Sequence, residues 1–384
     1  MSRTEENPGK LFRSKPPRYR AVIEELRQRM VDGRLKAGVR IPTLRRLAGE
    51  LRVSTNTIRS AIHVLEREGS LYRIPAVGAF VSPTFPSQSA TSQITMALVT
   101  LDIGGAFETG IAGGIEQGCQ ERGWGLQIFD SRFDLHLEAR NLSRLSESGT
   151  QGAILLVTGL HHNIEALFKM KLANYPFVLL DRGVPGLRVD LVESDHEKGA
   201  YLATQHLLEH GHRRILMVTE RPVATSVAAR IRGYERALID AGLEPHRDWK
   251  VFAEGRLTGR GGREGQRWVG GYEAAVPVLK TIEPPVAVFA HNAFTAWGVF
   301  EACRELGLRI PEDISMVGFD DSDIAQAMTP PLTIVSQRVH EIGLSAVAML
   351  EKRLQRGGTE AEPQHVLVDV DLVKRRSVAS CGQV

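Results

Sequence analysis

The sequence predicts a mixed α/β chain, with a small helical part at the N-terminus and a larger part built on parallel sheets. Two observations lead to this prediction. Apolar residues recur at helical spacing through residues 19–69, and beyond residue 93 short apolar runs typical of buried strands alternate with helical segments. The chain has 384 residues, enough for two or three domains. Alternating strands and helices form parallel sheets with helices on both faces, and the number of strands favours two sheets.

The N-terminal region is predicted to open with a loose basic arm, residues 1–17, which is polar and contains three prolines. A first helix is expected from about Tyr19 to Gly33, since apolar residues follow at helical spacing. Two further helices are predicted from their N-caps. These are Thr43 before residues 44–51 and Ser54 before residues 55–68. Hydroxyl side chains suit an N-cap because they accept a hydrogen bond from a free backbone N–H of the first turn.

A β-hairpin is predicted next, because short apolar runs flank residues 75–78. Three helices and a hairpin describe a winged helix-turn-helix, which we place at residues 18–82. The polar stretch that follows contains two prolines and no periodicity, so residues 83–93 are predicted to be a linker. Residues 94–384 form the second domain.

Strand-like and helical segments alternate through this second domain. The predicted strands are 94–100, 126–130, 153–158, 177–181, 214–219, 286–290 and 314–320. The predicted helices are 110–122, 138–146, 163–172, 198–209, 228–241, 271–280 and 295–306. Residues 254–271 are rich in glycine and arginine, and we expect an irregular surface loop there.

Charge is distributed unevenly along the chain. Residues 1–81 hold 17 lysine and arginine residues against 8 aspartate and glutamate residues, a net charge of +9, which leaves −6 on the other 303 residues. A basic head on a larger acidic body is typical of a protein that delivers one end to a polyanion. Charge alone leaves open the alternative of a solvated basic surface without a partner.

Several classes of protein are disfavoured by the sequence. No apolar run reaches the ~18 residues of a membrane-spanning helix, and the N-terminus lacks the apolar core of a signal peptide. The three cysteines, Cys119, Cys303 and Cys381, form no CxxC pair, which favours a reducing compartment and disfavours structural zinc. We therefore expect a cytoplasmic protein without membrane contact.

The second domain carries no convincing catalytic set, so we expect neither enzyme activity nor a cofactor. It lacks the GxSxG and HExxH motifs, and the glycine-rich residues 259–265 lack the ending of a phosphate-binding loop. His206 and His210 have the i, i+4 spacing of a metal-binding pair. The sequence supplies no third ligand, so no metal site is predicted.

The second helix of a helix-turn-helix lies in the major groove of DNA, with its first side chains at the base edges. Near the start of that helix, Asn56 has the donor and acceptor that suit adenine, and Arg59 suits guanine or a phosphate. Arg45 and Arg46 on the preceding helix are placed to reach the DNA backbone. The alternative is that Ser54 only caps a helix and that the arginines are solvated.

Four motifs support the first interpretation. They are G-x-L-x-x-G-x-R-I-P-T-L-R-R-L-A at 33–48, V-S-T-N-T-I-R-S-A at 53–61, L-E-R-E-G at 65–69 and G-A-F-V at 78–81. Together they resemble the DNA-binding domain of the GntR family. The resemblance implies that Arg45, Ser54, Thr55, Asn56, Thr57 and Arg59 lie where that family contacts DNA. The full set of predicted DNA-binding residues also includes Thr43, Arg46, Arg73 and Gly78. Two features depart from the family: Thr55 stands in place of its usual arginine, and the wing tip at 76–79 lacks its usual G-x-G-T.

The second domain carries five further motifs in order. They are S-D-H-E-K-G-A at 194–200, H-L-L-E-H-G-H-R-R-I at 206–215, R-I-R-G-Y-E-R-A-L at 230–238, G-L-R-I-P-E-D-I-S-M-V-G-F-D-D at 307–321 and P-L-T-I-V-S-Q at 331–337. Together they resemble the periplasmic-binding-protein-like effector domain of the LacI/GalR family over nearly all of residues 94–384. The resemblance implies two α/β lobes with parallel sheets, a three-stranded hinge and a ligand cleft between the lobes.

A sugar in such a cleft needs carboxylates, arginine, amides and an aromatic ring, because its hydroxyls donate and accept hydrogen bonds and its ring face is apolar. Asp181 and Arg182 directly follow an apolar strand, at the edge of a sheet where ligands bind. The resemblance adds the polar residues Arg230, Asn292, Asp320 and Gln337 and the aromatic Phe107. The alternative is that Asp181, Arg182 and Asp320 form structural salt bridges.

Two departures from the family bear on the identity of the ligand. The family's N-P-F-F is here Gly105-Ala-Phe-Glu108, and its Asn-Asp is here Asn292-Ala293. The lost carboxylate at Ala293 removes an acceptor for a sugar hydroxyl. Either the ligand differs from a simple hexose, or another group such as Glu108 compensates.

These resemblances imply a bacterial transcription regulator, expected to repress by binding double-stranded operator DNA under the control of a small ligand, a sugar or sugar derivative. The combination resembles arabinose-type repressors, and a homodimer is expected because helix-turn-helix proteins bind symmetric half-sites. One alternative is a solute-binding protein of a sugar transport system, which needs an export signal and leaves the basic head unexplained. A second is an enzyme fused to a GntR head, but the second domain resembles no such enzyme.

Overall fold

The computed structural model describes residues 18–75, 77–83, 94–158, 163–253, 267–355 and 362–381. The chain forms two compact units, Met1–Gln93 and Ile94–Val384. The predicted arm, the predicted linker beyond Pro83 and the glycine-rich residues 259–265 lie outside the described residues.

The N-terminal unit consists of three helices and a two-stranded antiparallel sheet, which confirms the predicted winged helix-turn-helix fold. Its elements are α1 (Arg18–Val31), α2 (Leu44–Leu51), α3 (Thr55–Arg67), β1 (Leu71–Ile74) and β2 (Gly78–Val81). Both predicted N-caps are present: Thr43 accepts a hydrogen bond from the backbone N–H of Arg46, and Ser54 accepts one from that of Thr57. The helices pack on fully buried apolar side chains, among them Leu26, Met30, Leu47, Ile58, Ile62 and Leu65.

The C-terminal unit alternates strands and helices. In chain order its elements are β3 (Thr95–Thr100), α4 (Ala106–Glu121), β4 (Gly125–Asp130), α5 (Leu135–Arg144), β5 (Gly152–Leu155), α6 (Ile164–Leu172), β6 (Phe177–Leu180), β7 (Asp190–Ser194), α7 (His196–Glu209), β8 (Ile215–Thr219), α8 (Thr225–Asp240), β9 (Lys250–Phe252), α9 (Val269–Leu279), β10 (Val286–Ala290), α10 (Ala293–Leu306), β11 (Ile314–Phe319), α11 (Asp323–Ala327), β12 (Thr333–Gln337), α12 (Val339–Gln355), β13 (His365–Val368) and β14 (Val370–Val373).

Two six-stranded sheets divide this unit into two lobes, as predicted. The sheet of lobe 1 has the strand order β13-β7-β6-β5-β3-β4 and is parallel throughout. The sheet of lobe 2 has the order β14-β12-β11-β10-β8-β9 and is parallel except for β14. Helices cover both faces of each sheet: α4 and α12 lie opposite α5 and α6 in lobe 1, and α7 and α8 lie opposite α9 and α10 in lobe 2.

The chain passes between the lobes three times, at Asp195, Arg338 and Asp369. These crossings join β7 to α7, β12 to α12 and β13 to β14. Two ion pairs tie the crossing segments together: Lys198 Nζ donates to Asp369 Oδ1 at 2.7 Å, and Arg338 Nε donates to Asp371 Oδ2 at 3.0 Å. This arrangement agrees with the three-stranded hinge that the LacI/GalR resemblance implies.

The structure differs from the sequence prediction mainly at helix starts and at edge strands. Helices α4, α5, α7, α8, α9 and α10 begin two to four residues earlier than predicted, because caps and first turns are polar or small and precede the apolar pattern. The sequence analysis also missed α11, α12 and the strands β7, β9, β12, β13 and β14. The predicted loop at 254–271 is wrong at its end, since α9 begins at Val269, and residues 254–266 lie outside the described residues.

Two glycines allow α4 and α12 to pack closely in lobe 1. A Cβ atom added at Gly114 would lie 2.2 Å from the carbonyl oxygen of His340, and one added at Gly343 would lie 2.4 Å from that of Ile111. Backbone atoms cannot give way as a flexible side chain can. Neither position therefore accepts a larger residue unless the helices separate.

Gly114→Ala is expected to lower the free energy of unfolding by about 1–3 kcal/mol, because the added methyl group pushes the two helices apart. Gly113→Ala is the matched control: an added Cβ there meets its nearest atom, His340 Nδ1, at 3.9 Å, and alanine favours a helix by up to about 1 kcal/mol over glycine. Urea unfolding followed by circular dichroism measures both variants. Equal stabilities would contradict the close packing of α4 on α12.

Candidate functional sites

The N-terminal turn of α3 presents short polar side chains to solvent. Ser54, Thr55 and Asn56 are exposed, while Thr57 is half-buried and its hydroxyl lies 2.8 Å from that of Ser54. Ser54 Oγ also accepts the hydrogen bond from the backbone N–H of Thr57, at 3.1 Å. Short side chains around the free N–H groups of a helix start allow a phosphate or a base edge to approach closely.

Arg45 and Arg46 on α2 and Arg59 near the start of α3 are exposed. Arg59 Nη1 donates to Asn56 Oδ1 at 2.8 Å, so these two side chains are held as a pair. Arg46 Nε donates to Glu50 Oε1 at 3.0 Å. Arg45 forms no hydrogen bond or ion pair with any residue that the structure describes, which leaves its guanidinium available to an external anion.

The wing consists of β1, β2 and the connection between them, and the charged side chain of its strands, Arg73, forms an ion pair. Arg73 Nε donates to Glu66 Oε1 at 2.8 Å. Gly78 has a φ of 144°, and a Cβ atom there would lie 2.7 Å from Arg40 Nε, so this glycine makes room for Arg40. Tyr72 and Phe80 stack across the strands with ring centres 5.5 Å apart. DNA contact by Arg73 and Gly78 stays a prediction.

Polar side chains follow the strands of both lobes. Asp102 stands two residues after β3, and Asp181, Glu220, His291 and Asp320 directly follow β6, β8, β10 and β11. Asp181 and Asp320 have φ angles of 63° and 74°, a strained left-handed conformation that is frequent at functional sites. The carboxyl ends of parallel strands are where open α/β sheets bind ligands.

Asp181 connects the two lobes. Its Oδ2 accepts hydrogen bonds from Arg182 Nη2 at 2.9 Å and Nε at 3.1 Å, and its Oδ1 lies 3.3 Å from His196 Nε2 on α7. Burial opposes ionisation, but Arg182 and His196 outweigh it and hold the pKa of Asp181 well below its usual range. The carboxylate is therefore charged at neutral pH.

Arg230, on α8, is buried and has several protein partners. Its Nη1 donates to the carbonyl oxygen of His291, and its Nε and Nη2 lie 3.4 Å from His196 Nδ1. Its Nη2 is also 3.5 Å from Asp320 Oδ1, and its guanidinium carbon is 3.8 Å from the centre of the Phe319 ring. Arg230 is thus a structural centre of the cleft, and its contact with a ligand stays a prediction.

Asp320 and Gln337 extend this network. Gln337 Nε2 donates to Asp320 Oδ1 at 2.5 Å, whereas Gln337 Oε1 is buried and has no partner in the part of the chain that the structure describes. Burial raises the pKa of Asp320, and Arg230 and Gln337 reduce this effect without cancelling it. These contacts join five of the predicted ligand residues, namely Asp181, Arg182, Arg230, Asp320 and Gln337.

The other two predicted ligand residues, Asn292 and Phe107, form no side-chain hydrogen bond or ion pair with these five among the contacts that the structure describes. Asn292 Oδ1 accepts a hydrogen bond from the backbone N–H of Thr295 at 2.7 Å and caps α10, while its Nδ2 donates to His291 Nε2 at 3.0 Å. Burial lowers the pKa of His291 to about 3, so its ring is neutral. Ala293 is buried at the start of α10. Phe107 is half-buried and packs against the apolar core of lobe 1.

The cleft contains three further polar residues: Glu108, which the sequence analysis named only as a group that could compensate for the carboxylate lost at Ala293, and His196 and Glu220, which it did not predict. Burial raises the pKa of Glu108, in the first turn of α4, to about 7, and it also raises that of Glu220. A hydrogen bond from its own backbone N–H and the charge of Arg182 partly lower the pKa of Glu108, and the charges of Arg182 and Arg230 partly lower that of Glu220. The rule that selects Asp181, a polar residue directly after an apolar strand, also selects Glu220.

A separate contact joins the lobes at Arg267. Its guanidinium contacts the carboxylate of Asp102 in lobe 1. The same group lies 4.7 Å from the centre of the Phe133 ring of lobe 1 and 5.1 Å from that of Phe294, on α10 of lobe 2. Arg267 falls within the stretch predicted as a loop, where no periodicity marks a functional residue.

The described residues include no group of three histidine, cysteine, aspartate or glutamate side chains that could hold a metal ion. The rings of His206 and His210 are 4.4 Å apart, but His210 Nδ1 contacts the carbonyl oxygen of His206 at 2.8 Å. Burial lowers the pKa of His206 to about 4. Over the same residues, no helix is long and apolar enough to cross a membrane.

A winged helix-turn-helix in one chain with a two-lobed, charged ligand cleft defines a ligand-responsive DNA-binding regulator. Residues 18–81 match the bacterial regulatory proteins of the gntR family, and residues 204–378 match the periplasmic binding protein-like domain. The chain belongs to the transcriptional regulators that join a gntR-family DNA-binding domain to a periplasmic binding protein-like domain of the LacI type. Both resemblances found in the sequence are thereby confirmed.

Similar proteins are themselves transcriptional regulators. The chain is 30% identical over 270 residues to the HTH-type transcriptional repressor PurR of Aliivibrio fischeri, covering 70% of this chain and 76% of that protein. It is 29% identical over 346 residues to the arabinose metabolism transcriptional repressor of Geobacillus stearothermophilus, covering 88% and 92%. A crystal structure of a LacI family transcriptional regulator from Enterococcus faecium, with bound ribose, aligns with a TM-score of 0.62 at 28% identity, covering 75% of this chain and 99% of that one.

Glu108 should make stability depend on pH. Its pKa rises from 4.5 to about 7 on folding, so the folded state binds this proton more tightly. The resulting stabilisation is present at low pH and is lost as the pH rises through about 7. Glu108→Gln removes the titration, so the variant should gain stability relative to the wild type between about pH 5 and about pH 8, by up to about 3 kcal/mol.

Urea unfolding at both pH values measures this difference. Glu116→Gln, an exposed position on the same helix, is the matched control and should show no such change with pH. The burial of an uncompensated carboxyl group at Glu108 is contradicted when the wild type and Glu108→Gln differ equally at the two pH values.

Proposed function

We propose that the protein represses transcription by binding an operator through its winged helix-turn-helix, and that a sugar or sugar derivative in the cleft controls this binding. The observation that carries the proposal is the charged cluster at the strand ends of the two lobes, which offers carboxylate, guanidinium and amide groups to a polyhydroxyl ligand. The relatives support it: they include the ribose operon repressor of Escherichia coli and the arabinose repressor and ribose-bound regulator described above.

The proposed DNA contacts follow from the exposed surface of α2 and α3. Arg59 Nη1 donates to Asn56 Oδ1 at 2.8 Å, so the guanidinium is already positioned in the absence of DNA. In that position it can donate two hydrogen bonds to the edge of a guanine. Arg45, without an ion pair among the described residues, is a candidate for a phosphate contact. The remaining proposed contacts are Thr43, Arg46, Ser54, Thr55, Thr57, Arg73 and Gly78.

The proposed ligand contacts are the side chains of the cleft cluster that keep polar atoms for a ligand. Gln337 Oε1 is buried without a donor, so a ligand hydroxyl can supply one. Arg182 is half-buried and can hydrogen-bond a ligand while it remains paired with Asp181. The remaining proposed contacts are Phe107, Arg230, Asn292 and Asp320.

The route from ligand to DNA is the hinge. His196 and Gln337 stand next to the crossings at Asp195 and Arg338, so a ligand that changes their contacts changes the relative orientation of the lobes. In a homodimer, which we propose because helix-turn-helix readers bind paired half-sites, that change alters half-site spacing. Such coupling is typically worth about 1–3 kcal/mol. We place the protein and its operator in the cytoplasm.

A solute-binding protein of a sugar transport system would explain the C-terminal unit equally well. It gives no role to the N-terminal unit, whose residues 18–81 match the gntR family. An enzyme is disfavoured because the relatives are transcriptional regulators.

Arg59→Ala should weaken operator binding by about 1–3 kcal/mol with little effect on random-sequence DNA, if the guanidinium reads a base. If it contacts a phosphate, both DNAs should weaken alike and the salt slope should fall by about one. Gel-shift titrations over a range of salt concentrations, on an operator selected from genomic DNA, separate these results. Arg67→Ala, at the other end of α3, is the control. If Arg45→Ala, Asn56→Ala and Arg59→Ala each bound the operator as tightly as the wild type, the proposed DNA-binding surface would be wrong.

Arg182→Ala should weaken ligand binding by about 1–3 kcal/mol or more, because it removes a donor beside the buried carboxylate of Asp181. Operator binding without ligand should persist, since the DNA-binding residues lie in the other unit. Calorimetry with pentoses, hexoses, sugar phosphates and uronates measures the first effect, and operator titration measures the second. The exposed Arg188→Ala, on the same β6–β7 connection, is the control. Wild-type affinity in Arg182→Ala would remove this residue from the site, and a panel without any binder would contradict the sugar class.

A further inference from the structure

Two carboxylates of the cleft have no part in the charge network. Glu108 is 8% exposed and lies in the first turn of α4 in lobe 1, and Glu220, whose side chain is 32% exposed, follows β8 in lobe 2. No side chain that the structure describes donates a hydrogen bond to either group, and the Glu108 carboxylate accepts one from its own backbone N–H. His291 Nε2 lies 3.9 Å from Glu220, too far for a hydrogen bond, and that nitrogen already accepts one from Asn292.

The arginines at the cleft do not neutralise these two carboxylates, because each arginine is matched by an aspartate. The pairs are Arg182 with Asp181, Arg230 with Asp320, and Arg267 with Asp102. Arg182 lowers the pKa of Glu108 and of Glu220 in part, yet burial outweighs it and both pKa values remain raised. Glu108 and Glu220 are therefore left as acidic groups without a cation of their own.

The cleft also contains a hydrogen-bond acceptor that has no donor among the described residues. Gln337 Oε1 is an acceptor, buried at a residue that is 7% exposed, and no described residue donates to it. Glu108 and Glu220 are also acceptors when ionised. A ligand that completes this site must bring hydrogen-bond donors, and it must also bring positive charge if the two carboxylates are to stay ionised when the cleft closes.

We infer that the cleft takes a hydroxylated ligand that carries a protonated amine, an amino sugar or a related amino polyol, because the carboxylates of Glu108 and Glu220, one in each lobe, favour a positive charge there. An ammonium supplies three donors and one positive charge. A neutral sugar leaves the two carboxylates uncompensated, and an anionic sugar adds a like charge beside them. This inference rests on the proposed function, since it specifies the chemistry of the ligand in the same cleft.

The test is calorimetry on the full chain with matched sets of sugars. Each set contains a hexose, its 2-amino-2-deoxy derivative and its uronate, in the gluco, galacto and manno series. In at least one series the amine should bind about tenfold more tightly than the neutral parent, and the uronate should bind most weakly. In Glu108→Gln and Glu220→Gln, the ratio between amine and parent should fall towards one. Glu116→Gln, exposed on α4, should keep the wild-type ratio.

The other outcomes separate this inference from the proposed function. A neutral sugar or a uronate that binds as tightly as the amine in every series, or a ratio unchanged in both variants, overturns the inference and leaves a sugar-controlled regulator intact. If no sugar of the panel binds, the proposal of a carbohydrate ligand is contradicted, and so is this inference. Thermal unfolding of each variant shows that it is folded, and the ratio between two ligands on one protein sample does not depend on the fraction of active protein.

Discussion

The two-lobed unit depends most on the buried chain of polar contacts from Asp181 through His196 and Arg230 to Asp320. Its links measure 3.3, 3.4 and 3.5 Å, and the first three residues are between 2% and 6% exposed. Charged groups at such depth are costly unless each has a partner. Because His196 Nδ1 faces Arg230 and therefore accepts, its Nε2 carries the proton towards Asp181. The groups in this chain of contacts all have partners only when the strand ends of both lobes meet in this arrangement.

The hinge and the site share residues, which explains how a ligand can act on the whole unit. His196 follows the crossing at Asp195, and Gln337 precedes the crossing at Arg338, so two members of the network are fixed by the segments on which the lobes turn. Glycines at the α4–α12 interface hold the backbone of lobe 1 close and resist gradual deformation. We therefore expect a change of contacts in the cleft to be passed on as a rotation of one lobe against the other.

The sequence predicts those parts of the molecule that local patterns determine. The caps Thr43 and Ser54 follow from hydroxyl chemistry, and the strands β3 to β6 follow from apolar runs. The position of Asp181 follows from the end of such a run. The missed elements depend on distant partners: β13 pairs with β7 although about 170 residues separate them. Single-sequence periodicity contains no information on such pairing, and β14 (Val370–Val373) is too short to show a pattern.

Local sequence patterns also do not show which charged side chains pair with each other in the site. Strand position predicts Arg182 and the family resemblance predicts Arg230 as ligand contacts, but only the structure shows that each faces an aspartate. The same holds in the N-terminal unit, where Arg46 and Arg73 have carboxylate partners. We expect recognition in both units to depend on polar groups that protein contacts leave unmatched. In the DNA-binding unit these groups include the cation Arg45, which suits phosphate, and in the cleft they are acceptors, which suit a donor-rich ligand.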